Sequence, residues 1–255
     1  MNNHEKNILR FVVELGDIMV KNGAEIQRTE QTIQKIVSRD GKYTAQAFVV
    51  PTYISVTIST EDGEAFTKTT VIHGRRVNLE KVIACDNVAI RYIYHREPLQ
   101  QCIDELEAID ALTDFKTHVR IFSYSLISLA FTILFRGTVM VAFTAGIAGI
   151  FQGAAMEIMG KYDDLSPFFT NAIGSAIISA IAYIFYSIGI ADNYNSVIIG
   201  SLMPLVPGFA ITMAVRDLMY GDYISGTAKI VEALLTSIGI AAGVITVLWL
   251  FGNVL

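Results

Sequence analysis

Apolar residues near the start of the chain recur with the period of an amphipathic helix. Ile8, Val12, Leu15 and Met19 fall on one face at helical spacing. The pair Asn22-Gly23 follows directly and is typical of a helix stop. The pattern therefore predicts a first helix that ends before residue 22.

A second helix is predicted directly after this stop. Its apolar face is formed by Ile26, Ile33, Ile36 and Val37. Gly23 precedes the helix, and Glu25, Arg28 and Glu30 occupy its polar face. Glu25 and Arg28 have the i,i+3 spacing of a solvent-exposed ion pair, which is the simplest interpretation of these charges.

Strand-like patterns and two more helices complete the N-terminal part. The β-rich runs are YTAQAFVV (43–50), TYISVTIST (52–60) and AFTKTTVI (65–72). Pro51 separates the first two runs, and the turn EDGE precedes the third. Asn78 is a candidate N-cap for a helix that reaches Tyr94, and Pro98 fits the first turn of another. The stripe predicted to be buried in that last helix is Leu99, Cys102, Ile103, Leu106 and Ile109.

Long apolar runs replace these short periods in residues 119–255. A membrane-spanning helix needs about 20 apolar residues. Five segments qualify, at roughly 119–136, 138–159, 166–190, 194–215 and 226–251. The first two are separated only by Arg136-Gly137, so their connection must be tight, and KYDD at 161–164 forms the next turn. The sequence predicts an α-helical membrane protein with about five transmembrane helices and an N-terminal α+β domain, residues 1–118.

Charged residues support this division and predict an orientation. Residues 1–118 contain 14 of the 19 Lys and Arg residues and 17 of the 24 Asp and Glu residues. If the N-terminus is cytosolic, the cytosolic ends of the spans carry Lys116, Arg120, Lys161, Arg216 and Lys229, and the opposite ends carry Arg136. The run ILRFVVELG is interrupted by two charges and does not resemble a signal peptide. We therefore expect a cytosolic N-terminal domain and a C-terminus outside.

Motifs for catalysis or metal binding are absent from the sequence. HEKN is not HExxH, no Gly-rich loop follows a strand, and Cys85 and Cys102 lack metal-binding spacing. The net charge of −5 is spread over both parts, so no nucleic-acid partner is indicated. We expect two buried thiols, no metal, no cofactor and no enzymatic activity.

The fourth predicted span contains residues that disfavour a continuous helix. The stretch reads GSLMPLVPGFAITMAVRDLMYGDYISG, with Pro204, Pro207 and Gly208 near the bilayer midplane. Each proline lacks an N–H, which predicts carbonyls near residues 200 and 203 without helical donors, and Gly208 permits unusual backbone angles. Membrane proteins tolerate such a break where protein or a water-filled cavity satisfies the backbone. A simple proline kink remains the alternative to an interrupted helix that binds a ligand.

Polar residues in or beside the spans are the remaining candidates for a transport pathway. They are Arg216, Asp217, Glu232, Glu157, Asn171 and Gln152. Glu232 lies inside the last span, where a carboxylate is costly and usually marks a pathway or an ion pair. An ion pair of Glu232 with Lys229 or Arg216 is equally compatible with the sequence.

Three segments resemble the threonine/serine exporter (ThrE) family. They are NGAEIQRTEQTI at 22–33, VVPTYISVTI at 49–58, and LMPLVPGFAITMAVRDLMYGDYISG at 202–226 followed by EALL. The resemblance covers nearly the whole chain. It implies an exporter of small hydroxy amino acids that lies in the bacterial plasma (inner) membrane and is driven by the proton-motive force. In the split (YjjP-like) form, the implied cargo extends to dicarboxylates such as succinate.

The number of spans departs from that of the fused members of the family. Those members carry about ten spans in two five-helix halves, and this sequence resembles the N-terminal half. An odd number of spans suits an inverted-repeat transporter, in which the second half enters from the opposite side. We therefore expect a companion membrane protein of the same family, with a homo-oligomer as the alternative.

Two other functional classes are compatible with part of the sequence. A membrane sensor could anchor the cytosolic domain, although two plain spans would suffice and a broken fourth helix would be unnecessary. A membrane-embedded enzyme would need a catalytic set within the spans, which contain no histidine, although a glutamate-based site is conceivable. Of the three functional classes, transport is the one that gives the broken fourth helix a role, and it is therefore our prediction.

Overall fold

The computed structural model describes residues 3–74, 76–113, 115–161 and 165–252. The N-terminal elements are α1 (Asn3–Lys21), α2 (Ile26–Val37), β1 (Tyr43–Val50), β2 (Tyr53–Thr60), β3 (Ala65–Val71), α3 (Leu79–Tyr94) and α4 (Leu99–Asp110). The later elements are α5 (Thr117–Leu134), α6 (Val139–Met159), α7 (Pro167–Ser187), α8 (Tyr194–Leu202), α9 (Gly208–Met219) and α10 (Tyr223–Gly252). Residues 162–164 of the predicted turn after α6, and the last three residues of the chain, fall outside the described residues.

The chain divides into two compact units, each of which packs mainly on itself. The N-terminal unit comprises Met1–Asp114 and Met213–Ala228, and the helical unit comprises Phe115–Thr212 and Lys229–Leu255. The end of α9, the turn after it and the start of α10 therefore belong to the N-terminal unit. The Arg-Asp-rich segment that follows the broken span is thus part of the same unit as α1 and α2.

The corner between α1 and α2 is made by the predicted Asn22-Gly23 stop. Gly23 has φ 92°, a left-handed value that is easily adopted only without a Cβ. Its N–H donates to the carbonyl of Val20 at 3.1 Å, and the N–H of Ala24 donates to Met19 at 2.9 Å. This pair of bonds is a Schellman motif, which satisfies the last carbonyls of α1 and releases the chain toward α2.

The three predicted strands form an antiparallel meander in the order β1-β2-β3. Val49 pairs with Ile54, and Ile58 pairs with Phe66. Alternate residues of β2 are buried because one face of the sheet packs on the helices, and the buried set is Ile54, Val56 and Ile58.

Helix α1 is the centre of the N-terminal core. Its residues Phe11, Leu15 and Met19 are fully buried and belong to one apolar cluster with Ile33 of α2 and Tyr92 of α3. The predicted cap at Asn78 is present, because its side chain accepts a hydrogen bond from the N–H of Lys81. The predicted stripe of α4 is also present, with four of its five residues buried and Leu99 partly buried.

Both cysteines are free and buried, as the sequence predicted. Burial raises the pKa of the Cys85 thiol to about 12 and that of Cys102 to about 11, and nearby carboxylates add to both increases. Because the thiolate is the reactive form, these thiols are inert near neutral pH.

Four helices in the described part of the chain are long and apolar enough to cross a membrane. They are α5, α6, α7 and α10, and they match the first, second, third and fifth predicted spans. The α8–α9 pair meets the same criteria together but is bent by 52° at a short break, so the described part of the chain has four candidate spans, or five if this pair is one broken span. Large apolar side chains on the helices are exposed, as expected for surfaces that contact lipid, and examples are Phe122, Phe143, Phe151 and Trp249.

Glycines bring the helices of the helical unit into close contact. A Cβ at Gly149 would lie 2.7 Å from the carbonyl oxygen of Tyr124 in α5. A Cβ at Gly243 would lie 2.1 Å from the carbonyl oxygen of Ala172 in α7. At these two positions the backbones of neighbouring helices are in direct contact, which no larger side chain would allow.

Candidate functional site

The helix predicted for the fourth span is interrupted at the two prolines. Helix α8 ends at Leu202, and Pro204 lies in a 3₁₀ turn, Met203–Leu205. Val206 is extended, with φ −62° and ψ 126°, and Pro207 directly precedes the first residue of α9. The interrupted helix predicted from Pro-x-x-Pro-Gly is confirmed, and the alternative of a simple kink in one continuous helix is not.

The prediction that the carbonyls of residues 200 and 203 lack hydrogen-bond donors is wrong. The N–H of Met203 donates to the carbonyl of Gly200, and the N–H of Val206 donates to the carbonyl of Met203 at 3.3 Å. The chain tightens from α-helical to 3₁₀ hydrogen bonding, so each carbonyl gains the donor that proline removed from the α-helical pattern. The break is therefore satisfied at these two carbonyls without a ligand.

Gly208 has a different role from the one that the sequence predicted. Its φ is not in the left-handed region, so the conformational freedom of glycine is not needed there. A Cβ at this position would meet nothing within 4 Å. Gly208 therefore opens α9 beside unfilled space, at the positive end of the helix dipole. The N–H of Gly208 donates to the carbonyl of Val206 at 2.8 Å and that of Ile211 donates to Pro207 at 3.0 Å, which leaves the N–H groups of Phe209 and Ala210 without a partner within the helix.

Three polar residues of the helical unit occupy distinct environments. Gln152 of α6 is completely buried, and neither atom of its amide has a hydrogen-bond partner among the described residues. Asn171 of α7 is buried, and its amide donates to the carbonyl of Pro167 at 2.7 Å. Glu157 of α6 lies 2.7 Å from the Arg120 guanidinium of α5, so it is one partner of an ion pair between helices.

The polar face of α2 binds the segment after the broken span. Glu25 Oε2 lies 2.6 Å from Arg216 Nη2, and the Glu25 side chain is only 10 % exposed, whereas that of Arg216 is 49 % exposed. The expected i,i+3 pair of Glu25 with Arg28 is therefore wrong. Glu25 is the N-cap of α2 with an extended backbone, φ −67° and ψ 133°, so helical i,i+3 spacing does not apply to it.

The other charges of α2 also have partners outside the helix. Arg28 forms an ion pair with Asp86 of α3. Glu30 accepts a hydrogen bond from the N–H of Val49 in β1 at 3.0 Å. Burial raises the pKa of the Glu30 carboxyl, the bond from Val49 lowers it, and the nearby Asp222 carboxylate raises it. Arg28 is exposed, as expected for a solvated face, whereas Glu25 and Glu30 contact α9 and β1.

The turn between α9 and α10 also lies near α2, because it carries Asp222, whose carboxylate is close to Glu30. Gly221 has φ 85°, and the N–H of Asp222 donates to the carbonyl of Asp217 at 2.9 Å. Asp222 Oδ1 accepts from the N–H of Ser225 at 3.1 Å, which starts α10. Glu25, Glu30, Arg216 and Asp222 together form what we call the α2–α9 cluster, and Asp217 is buried beside Arg216 in the chain.

The remaining candidate carboxylate is Glu232 in α10. Lys229 and Glu232 have i,i+3 spacing and lie about one turn apart on the same face of the helix. The structure pairs Arg216 with Glu25, and the pairing of Glu232 with Lys229 stays a prediction. Among the described residues, no group of three metal-binding side chains is present.

Sequence reasoning missed the contact between Glu25 and Arg216. It identified each residue within its own motif, but the two lie at opposite ends of the chain and no local spacing connects them. It also assigned no partner to Asp222 and Asp86. Their roles depend on how the α9–α10 turn and α3 pack on α2.

Comparison with known proteins agrees with the resemblance in the sequence. The family model described as "Putative threonine/serine exporter" (ThrE) matches residues 10–251. A threonine/serine exporter of Corynebacterium glutamicum is 26% identical over 249 residues, which cover 93% of this chain and 50% of that protein. The chain thus spans about half the length of the curated relative that it matches. No solved structure matches the chain. Because the family model covers most of its length, this chain belongs to the threonine/serine exporter family.

Proposed function

We propose that the chain is a subunit of a secondary-active exporter of small polar metabolites. The cargo is a threonine- or serine-type amino acid, and a dicarboxylate such as succinate is the alternative cargo. The observation that carries this proposal is the interrupted span α8–α9 in a chain of the exporter family. Broken helices near the bilayer midplane are the usual binding elements of secondary transporters.

The amino-terminal end of α9 has the properties needed to bind an anionic group. Helix N-termini carry unsatisfied N–H groups and about half a positive charge, and both favour a carboxylate. The cargo has a carboxylate in either case. The space beside Gly208 allows a ligand to approach this helix end closely. We therefore place the carboxylate of the cargo at the start of α9.

A companion subunit completes the proposed pathway. The chain matches half the length of its curated relative and supplies up to five spans in its described part. Five spans form one half of an inverted repeat, and the second half must enter the membrane with the opposite orientation. The partner that we propose is a small membrane protein of the same family.

Export against a gradient needs a coupling ion, and we propose a proton. Glu232 is the candidate carrier because a carboxylate within a span usually marks a pathway or an ion pair. With the N-terminus in the cytosol of a bacterial cell, protons that enter across the inner membrane drive the cargo outward. Arg216 of the α2–α9 cluster lies in the helix that follows the break, so a change in this cluster can be transmitted to the break and act as a gate.

Co-expression tests the proposed function and the need for a partner. Cells loaded with radiolabelled threonine, serine or succinate should export the cargo rapidly only when this chain and the companion are both present. We expect the chain alone to reach the membrane and to give efflux close to the empty-vector rate. Collapse of the proton gradient should abolish uphill export.

Two outcomes would contradict these proposals in different ways. Full activity of the purified chain alone in liposomes would exclude the companion and favour a homo-oligomer. Efflux of all three compounds at the empty-vector rate, with both proteins present in the membrane, would exclude export of this class of cargo.

A further inference from the structure

Gln152 carries a buried amide that has no partner in the described part of the chain. Its side chain is 0 % exposed, and both Nε2 and Oε1 lack a hydrogen-bond partner. Burying an amide without a partner is unfavourable by roughly 1–3 kcal/mol in proteins, so such groups are rare. An unpaired buried amide in a membrane span therefore needs an explanation.

Seven other buried hydroxyl and amide groups of α5, α6, α7 and α8 are satisfied locally. Each donates to a backbone carbonyl, mostly one turn earlier in the same helix. The residues are Ser128, Thr132, Thr144, Asn171, Ser175, Ser179 and Ser201. Gln152 has a longer side chain that makes no such bond, so local packing of α6 does not account for it.

The contacts of α6 place Gln152 beside the interrupted span. Ala145 accepts a hydrogen bond from Ser201 Oγ, at the end of α8, at 3.4 Å. Further along α6, Met156 Sδ and a Leu205 methyl both lie within 3.5 Å of the Cβ position of Gly174 in α7.

Helical geometry puts Gln152 between these two contacts. It follows Ala145 by about two turns and precedes Met156 by about one turn, within roughly 20° and 40° of their directions. Val141, Ala145, Ile178 and Leu205 form one apolar cluster, and Met156 packs against it. The amide of Gln152 therefore faces the region where α6, α7 and the 3₁₀ turn meet.

We propose that Gln152 contacts the cargo and determines its specificity. This inference rests on the proposed export function. A primary amide offers two donors and an acceptor but no charge, so its best ligand presents both a donor and an acceptor. The hydroxyl of serine or threonine does so, as does the ammonium–carboxylate pair of any amino acid.

A dicarboxylate is the poorer ligand for this amide. Near neutral pH it presents only acceptor oxygens, so Nε2 can donate to it while Oε1 stays unpaired. A buried polar group that the ligand leaves unpaired is the strongest basis for discrimination between similar substrates. Gln152 thus favours hydroxy amino acids over succinate at the same site.

The described conformation is closed around this side chain. Because Gln152 is fully buried, cargo reaches it only when the helices around it separate on one side of the membrane. Alternating access requires such a rearrangement in any secondary transporter. The empty, closed state then contains an unpaired amide that the cargo satisfies.

Gln152→Met tests this role because methionine keeps the unbranched shape and removes both hydrogen-bonding groups. The variant is expressed with the companion subunit, and the purified complex is melted with and without threonine. Without threonine, we expect it to melt at the wild-type temperature or a few degrees higher, because an unsatisfied group is removed. With the same threonine concentration, we expect the ligand-induced rise in melting temperature to be much smaller than in the wild type.

Transport kinetics give the second readout. We expect the KM for serine and threonine to rise roughly tenfold to a hundredfold, because the variant cannot form two of the hydrogen bonds to the cargo. The KM for succinate should change much less. Ser179→Ala is the matched control, because Ser179 is equally buried but its hydroxyl is already bonded to Ser175. Its KM values should match those of the wild type.

Each contrary result has a distinct meaning. A Gln152→Met complex with wild-type KM values would show that the amide is only an unpaired part of the core. A variant that fails to assemble, or melts well below the wild type without cargo, would show that the amide has a structural partner, and would also overturn the proposal. If the wild-type complex moves none of the three compounds, the proposed function fails instead, and threonine-dependent melting still reports on Gln152.

Discussion

Replacing Pro204 and Pro207 together with alanine is expected to reduce threonine export by at least tenfold, equivalent to about 1.4 kcal/mol or more of lost binding. Alanine restores two N–H groups and removes the steric conflict that interrupts the helix. Residues 194–219 can then form one continuous helix, in which the start of α9 no longer presents free N–H groups. Export rates at matched membrane levels of the protein measure the effect.

A proline of the same unit provides the control. Pro167 is the first residue of α7, where proline is tolerated and alanine is equally acceptable. Pro167→Ala should therefore keep normal export and normal membrane levels. If the double variant at 204 and 207 also exports normally, the break has only a packing role.

Reversing either charge of the Glu25–Arg216 pair is expected to reduce export severely. Glu25 is nearly buried, so Glu25→Lys places two positive charges together where water screens them poorly. Because Arg216 is half exposed, we expect a loss of about 1–3 kcal/mol rather than the larger values of fully buried pairs. Arg216→Glu should behave similarly. The double reversal should recover much of the lost export and stability, because the opposite charges meet again.

A double-mutant cycle separates this pair from a general effect of charge. Arg10 forms ion pairs with Glu14 and Glu107 on the surface of the N-terminal unit. Such solvent-exposed pairs contribute little to stability, so Arg10→Glu should change export and melting temperature little. If Glu25→Lys and Arg216→Glu have strictly additive effects, the two residues are not coupled, and the α2–α9 cluster is not a gate.

The elements of this fold could be predicted because their signals are local. Asn22-Gly23 ends a helix and Asn78 starts one through their own backbone and side-chain hydrogen bonds. The spans can be recognised from the length of their apolar runs alone. The break at Pro204 and Pro207 could be predicted for the same reason, since proline cannot donate to the preceding turn. The 3₁₀ hydrogen bonds to the carbonyls of Gly200 and Met203 could not be predicted, because α-helical and 3₁₀ hydrogen bonding differ too little in energy for the sequence to decide between them.

The candidate site depended on contacts between distant segments. Glu25 and Arg28 have helical spacing in the sequence, but the N-cap conformation of Glu25 directs its carboxylate to Arg216. Gln152 was identified as a polar residue within a span, yet its isolation follows from the packing of α6 against α7 and the 3₁₀ turn. Residue type therefore indicated the candidates, and tertiary packing decided which of them have partners.

Protection of a cysteine at position 208 by cargo tests the location of the transport site most directly. Gly208→Cys should be tolerated because its Cβ meets nothing within 4 Å. The native thiols, with pKa values raised to about 12 and about 11, should contribute little maleimide labelling near pH 7. Asn195→Cys is the control, since Asn195 is exposed at the far end of α8. With the companion present, threonine should slow labelling at position 208, with a midpoint equal to its KM, and leave position 195 unchanged. Equal labelling rates at position 208 with and without saturating threonine, in a complex that exports threonine, would contradict a cargo site at the broken span.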